Sequence, residues 1–291
     1  MTLLKPSNVL CAVDLSPVSG AVLKWAGLFA RTFGVPLEAL YADWWEPPRY
    51  FTETQIEQLS RQEKEGEQVV ERELETLAKS ALDELVAYKT TVVEGHPTVR
   101  ILERAKQLST GLIVMGSHGR AGVARLRLGS VAEDVVRSSS CPVLIVKSDQ
   151  SPEQLPAIKN IVCPINFTNL SQQSIVISSE LAAAFGARLW VVHAAADHKE
   201  VKEEEVRQRI CDWVPQEVRG RCEVSEVVRH GDPAEQIILA AREHSADLIV
   251  MGAQHRPFLE FTTLGTTTER VIRHSHASVL VIPAAKKGHD N

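Results

Sequence analysis

Several features are scarce in this 291-residue chain, and each scarcity closes off a class of protein. The five cysteines, Cys11, Cys141, Cys163, Cys211 and Cys222, form no C-x-x-C pair and are odd in number. That argues against a disulfide framework and fits a reducing, cytoplasmic setting. No apolar run approaches the ~20 residues that span a bilayer. The longest stretch, LAAAFGARLWVVHAAA (181–196), is cut by Arg188, so no membrane partner is expected. The first residues, MTLLKPSNVL, lack the apolar core of a signal peptide. Positive charge is not in excess: the formal net charge is −5. Nucleic acid is therefore not the expected partner, because phosphate backbones need a basic face. There is no G-x-x-x-x-G-K-[ST] loop, no G-x-G-x-x-G fingerprint and no G-x-S-x-G elbow. The ten histidines contain no H-E-x-x-H and no Cys/His zinc spacing, so no metal site is expected.

What is present is an internal repeat. NVLCAVDLS (8–16) matches NIVCPINFT (160–168), and ARTFGVPLEAL (30–40) matches AAAFGARLWVV (182–192). Further on, GLIVMGSHGR (111–120) matches DLIVMGAQHR (247–256), and LGSVAEDVVRSSSCPVLIV (128–146) matches LGTTTERVIRHSHASVLVI (264–282). One unit therefore occurs twice. The expected domains are 1–147 and 158–291, joined by a polar, proline-bearing linker at 148–157. The first copy carries extra length within 43–80, beginning DWWEPPRYFTETQ.

Each unit alternates short apolar runs with helical patterns. NVLCAV (8–13), PLEALYA (36–42), TTVVEG (90–95), LIVMG (112–116) and CPVLIVK (141–147) read as strands. Ser16 and Pro17 offer an N-cap and a first helical residue, and Gly34 a helix stop. Val70, Leu74 and Leu77 recur at helical spacing inside the charged run 57–85, which reads as a solvated helix. Such alternation predicts α/β halves, each a parallel doubly wound sheet.

Chemistry concentrates in MGSHGRAGVARLRLGS (115–130). Gly116, Gly119 and Gly129, followed by Ser130, lie between a buried strand and a helix start. Free backbone N–H groups and the positive end of the helix dipole favour an anion there, and glycine permits close approach or positive φ. Arg120, Arg125 and Arg127 make this loop basic within an acidic chain, and His118 lies inside it.

The spacing G116-x-x-G119-x9-G129-S130, a strand ending in Val13-Asp14, and the terminal CPVLIVK resemble the ATP-binding branch of the universal stress protein family, as a tandem two-domain member. The resemblance implies two five-stranded parallel sheets of order 3-2-1-4-5, of the adenine nucleotide alpha hydrolase type, with ATP between strands one and four. By position, Asp14 would hold the adenosine portion, with Ala12 and Val13 beside it and Ala42 at the adenine. Met115 and Gly116 would border the nucleotide. Gly119, Gly129, Ser130 and Val131 would hold phosphates, with Mg²⁺ expected alongside ATP although no carboxylate pair announces a site. It also implies that the last strands, PVLIV (142–146) and SVLVI (278–282), pair antiparallel. Both partners exist in this one chain, giving an internal pseudo-dimer with homodimerisation still open to it.

The second copy departs from the pattern. His255 stands where Gly119 does, and Asn166 matches Asp14. ATP is therefore expected in the first copy and weakly or not at all in the second. Trp44, Trp45, Tyr50 and Phe51 read equally well as a lid or partner surface and as a satellite core. Cys11 and Cys163, equivalent in the first strands, read as buried apolar residues. The expected function is a nucleotide-dependent stress-response regulator acting on an unidentified protein partner. Hydrolysis would be slow at most, because no general base or P-loop lysine is placed. A scaffold with no nucleotide is the alternative. An ATP-using enzyme on a related fold is less favoured, since HIGH and SGGxDS segments are absent.

Overall fold

A computed structural model describes residues 6–44, 68–118, 128–147, 156–195, 203–253 and 265–284. In the first half the chain runs β1 (Val9–Val13), α1 (Ser19–Phe33), β2 (Leu37–Asp43), α2 (68–81), β3 (Tyr88–Glu94), α3 (Pro97–Gln107), β4 (Leu112–Gly116), α4 (Ser130–Ser138) and β5 (Val143–Val146). The second half runs β6 (Asn160–Ile165), α5 (Asn169–Phe185), β7 (Arg188–Ala195), α6 (Glu203–Trp213), α7 (Gln216–Arg219), β8 (Val224–His230), α8 (Pro233–Glu243), β9 (Leu248–Gly252), α9 (Thr266–His274) and β10 (Ser278–Ile282).

The strands order as β3-β2-β1-β4-β5-β10-β9-β6-β7-β8 in one sheet. Each half is thus a five-stranded parallel sheet of order 3-2-1-4-5. They join where β5 and β10 pair antiparallel, Val279 opposite Ile145 and Val281 opposite Val143. This solves an edge problem. The two apolar strands VLIV and SVLVI would otherwise each present unpaired backbone groups to solvent.

Strands β1, β5 and β10 are buried along their whole length, as a sheet covered on both faces requires. One apolar cluster, built on Val9, Cys11, Trp25, Phe29 and Leu74, fills the face beneath α1, α2, α5 and α6. The other, built on Leu10, Ile101, Ile113, Val135 and Ile272, lies beneath α3, α4, α8 and α9. Each fully buried Leu, Ile or Phe contributes about 1.5–3 kcal/mol. The spacing of Val70, Leu74 and Leu77 is explained by α2: Leu74 is fully buried and the other two pack against the core. Cys11 and Cys163 are buried, and burial pushes the Cys163 thiol up to about 12 against a hydrogen bond with Ser178.

Side chains also cross between the halves. The Phe29 and Phe185 rings meet edge to face at 5.5 Å, joining α1 to α5. Lys147, almost wholly buried at the end of β5, donates from Nζ to the carbonyls of Ile272 and Arg273, at the carboxyl end of α9. A cation there satisfies carbonyls that the helix itself leaves open.

The helix ends repeat too. Gly34 ends α1 at φ 64° and Gly186 ends α5 at φ 66°, the left-handed conformation that glycine adopts without a β-carbon clash. The start of α1 differs from the sequence expectation: it begins at Ser19 behind Val18, with no side-chain cap, and Ser16-Pro17 belongs to the preceding turn. Most of the linker, Trp45, Tyr50, Phe51, Gly119, Arg120, Arg125, Arg127 and His255 lie outside the described residues.

Candidate functional site

The chain leaves β1 toward α1 on one face of the sheet and leaves β4 toward α4 on the other. Their carboxyl ends part at a topological switch point, where open α/β sheets form a crevice. A cavity of about 460 Å³ occupies that crevice. Its size suits a small-molecule ligand. Ala12, Val13 and Asp14 from the end of β1, Ala42 from β2, Met115 and Gly116 from β4, and Gly129, Ser130 and Val131 at the start of α4 all line it. The sequence picks that fall among the described residues are therefore brought together around one space.

The cavity has two chemically different ends. Leu40, Ala42, Trp44, Pro97 and Ile101 make one end apolar. Alternation along β2 explains part of this: Leu40, Ala42 and Trp44 are two residues apart and share a face. The other end holds Asp14, Gly116, His118, Gly129 and Ser130. There α4 starts behind Gly129 with no side-chain cap. Its first N–H groups and the positive end of its dipole are left for an acceptor.

The glycines serve space rather than conformation. Gly129 sits at φ −63°, and Gly116 is absent from the positive-φ positions of the backbone. Around Gly116 an added β-carbon would meet nothing nearer than the His118 carbonyl at 3.4 Å. The expectation that these glycines supply positive φ is corrected for both; what they supply is the missing side chain.

Positive φ is taken instead by four non-glycine residues among those described, Leu15, Ser109, Phe167 and Ser245, of which Leu15 adjoins the cavity-lining Asp14. Leu15 holds φ 57°, unfavourable for a branched side chain. The Asp14 carboxylate fixes the turn around it: Oδ1 accepts from the Ser16 N–H at 3.1 Å and from the Ser19 hydroxyl at 2.9 Å. The other oxygen, Oδ2, is buried with no hydrogen-bond partner among the described residues. A buried carboxylate oxygen left in this way calls for a donor. His118 pairs its Nδ1 with the Ser117 hydroxyl at 2.9 Å, which holds the ring beside the cavity.

The second half differs at the corresponding place in three ways. Leu170, which replaces Val18 in the repeat, leans over Gly252, so that an added β-carbon there would collide with its side chain. Asn166 Oδ1, in place of Asp14, accepts from the Thr168 hydroxyl at 2.7 Å. Arg270 bridges from α9 to Asp232 at 2.8 Å and Glu235 at 3.3 Å on α8, whereas the matching Asp134 pairs within α4, with Arg137.

Sequence reasoning missed His96, whose ring lies 4.6 Å from that of Trp44. Trp44 itself, which the sequence offered equally as lid, partner surface or satellite core, is 49% exposed and lines the cavity. The i, i+2 pattern from Leu40 through Ala42 was the available signal for Trp44. Ser19 was also missed, because its role depends on where α1 begins. Leu170 carried no signal, since a leucine near a strand end is unremarkable until its neighbour is known. Among the described residues no helix is long and apolar enough to cross a membrane.

Comparison with known proteins agrees with this architecture. The Universal stress protein family matches twice, over residues 6–147 and 157–283. A universal stress protein of Mycobacterium tuberculosis is 28% identical over 298 residues, covering 95% of this chain and 97% of its own length. One from Methanocaldococcus jannaschii is 33% identical over 144 residues, covering 48% of this chain and 81% of its own. The crystal structure of a universal stress protein from Archaeoglobus fulgidus superposes with a TM-score of 0.70 at 22% identity, covering 98% of this chain and 99% of that one. The two matches side by side account for the repeated half, and the chain belongs to the universal stress protein family as a tandem of two such domains.

Proposed function

We propose that the first half binds ATP in the cavity between β1 and β4, and that the protein is a nucleotide-dependent stress-response regulator. The observation that carries this reading is Asp14: one carboxylate oxygen organises the turn, and the other waits, buried, beside the cavity. A ribose hydroxyl or an amine is the donor that such an oxygen suits. The apolar end of the cavity suits a purine. The uncapped start of α4 suits phosphate, through the N–H groups of Ser130 and Val131 and the Ser130 hydroxyl. The Gly129 N–H, expected to share that task, is instead donated to the Ser117 carbonyl at 2.9 Å, which ties the start of α4 to the end of β4. Gly119 belongs to the same glycine pattern, and Mg²⁺ would accompany the phosphates.

Hydrolysis is slow at best in this reading. Among the described lining residues there is one carboxylate, Asp14, with one oxygen committed to the α1 turn, one histidine, His118, held through Nδ1 by the Ser117 hydroxyl, and no lysine to clamp the terminal phosphate. Regulation would work through α1. Its first turn is tied to Asp14 by Ser19, and its far end touches the second half through Phe29 and Phe185.

The test is calorimetric titration of Mg-ATP into the full chain and into Gly119→Val. Saturable binding in the wild type, lost in a variant with an unchanged thermal melt, supports the reading. A folded wild type that takes up no ATP contradicts it.

A further inference from the structure

One feature of the cavity is unexplained by phosphate binding or by the fold. Trp44 follows β2 at its carboxyl end and leaves 49% of its surface exposed, although it adjoins an apolar wall of Leu40, Ala42, Pro97 and Ile101. Exposed indole at the rim of an apolar cavity is a surface a flat ligand can cover. The indole is also restrained: the His96 ring lies 4.6 Å away at an interplanar angle of 62°, an edge contact. His96 precedes α3 and gives that helix no side-chain cap, so its ring has no capping task. The second half breaks both members of the pair. The position matching Trp44 is Ala196, and the position matching His96 is Asp232, whose carboxylate caps α8 and pairs with Arg270.

We propose that Trp44 is the base-recognition wall of this cavity and that His96 is its positioning residue. The inference rests on the nucleotide reading above and adds its selectivity: the heteroaromatic base lies against the indole, so affinity follows stacking area, purine above pyrimidine. The polar end grips phosphate whatever the base. Trp44 therefore divides the ligand into a part it reads and a part it does not.

The experiment is a titration of the full chain with ATP, CTP and inorganic tripolyphosphate, each with Mg²⁺, repeated on Trp44→Leu, Trp44→Phe, His96→Ala and His96→Phe. A stacked base contributes enough that Trp44→Leu should weaken ATP about tenfold or more. Trp44→Phe should keep most of the affinity, and tripolyphosphate should bind every variant as it binds the wild type. His96→Ala should weaken ATP about threefold, the scale of one aromatic contact, with His96→Phe restoring it. The tryptophan emission change on adding ATP should vanish in Trp44→Phe. Equal ATP affinity in wild type and Trp44→Leu, or an ATP-to-CTP ratio that survives Trp44→Leu, overturns the proposal while leaving nucleotide binding intact. Should the wild type bind tripolyphosphate but gain nothing from a base, Trp44 reads no base and the proposal is wrong. Failure of the folded wild type to bind any of the three removes the nucleotide reading and this inference with it.

Discussion

Ser19 donates its hydroxyl to Asp14 Oδ1 at 2.9 Å, joining the first turn of α1 to the end of β1. The second oxygen of the same carboxylate is buried without a hydrogen-bond partner among the described residues, in a residue that lines the cavity. One side chain thus serves the fold with one atom and is open to a ligand with the other. Substitution can separate the two. Asp14→Asn keeps an oxygen for Ser16 and Ser19 and places an amide donor where Oδ2 was. Its melting temperature should stay near that of the wild type while ATP affinity falls at least about tenfold, or 1.4 kcal/mol. Asp14→Ala loses both, with about 1–2 kcal/mol of stability gone as well. Chemical denaturation beside calorimetry distinguishes these outcomes.

The two strand-end glycines make opposite predictions. Gly116→Ala adds a carbon with its nearest neighbour at 3.4 Å, which the structure accommodates. Gly252→Ala puts that carbon into Leu170. Overpacking of this kind costs about 1–3 kcal/mol. Urea unfolding of the pair should show Gly116→Ala near wild type and Gly252→Ala destabilised, with Leu170→Ala recovering part of the loss in the double variant.

Glu38 is buried in β2 and accepts from Arg104 Nε at 2.7 Å, from Arg104 Nη2 at 3.2 Å, and from Lys89 at 2.7 Å. Burial alone would raise its pKa, but these donors and Thr91 hold it below the ordinary 4.5. A carboxylate lowered in the folded state adds stability above its unfolded pKa, and that stability is lost as pH falls through the folded value. Glu38→Gln should cost about 1.5–3 kcal/mol at neutral pH, the scale of hydrogen bonds to a charged group. It should also flatten the loss of stability below pH ~4.5, as acid titration followed by circular dichroism would show.

The repeat answers the same position differently in the second half. Trp190 stands where Glu38 does, and His244 stacks on it at 3.8 Å and 11°. Burial lowers the His244 pKa from 6.5, and Arg229 assists while Glu243 opposes. His276 is lowered too, by burial and by Arg242 against Asp247. Here the unfolded chain takes the proton more readily, so stability is full above about pH 6.5 and declines as pH drops below it. His244→Phe, which preserves a ring on Trp190, should reduce that decline; an unchanged slope between neutral and mildly acidic pH would assign it to other groups.

Much of this was legible in the residues. The short apolar runs gave the strands, and the matched segments gave the two halves, because a parallel sheet buried on both faces leaves little room for polar residues. The glycines and Ser130 pointed to the crevice because a strand-to-helix turn lined by so little side chain is conspicuous. What stayed hidden depends on contacts between distant segments. Ser16-Pro17 looks like a helix start until Asp14 draws Ser16 into its own turn. Leu170, the Arg270 bridge to Asp232 and the Trp44–His96 pair each join residues whose proximity only the folded chain creates.

The most direct test of the account is native mass spectrometry of the full chain saturated with Mg-ATP. One ATP per chain, lost in Asp14→Asn, is the result the account predicts: a cavity lined by Asp14 in the first half, and Leu170, Asn166 and the Arg270 bridge at the corresponding place in the second. Two ATP per chain would contradict an obstructing role for Leu170 and Arg270, and none bound to a folded chain would contradict the nucleotide site itself.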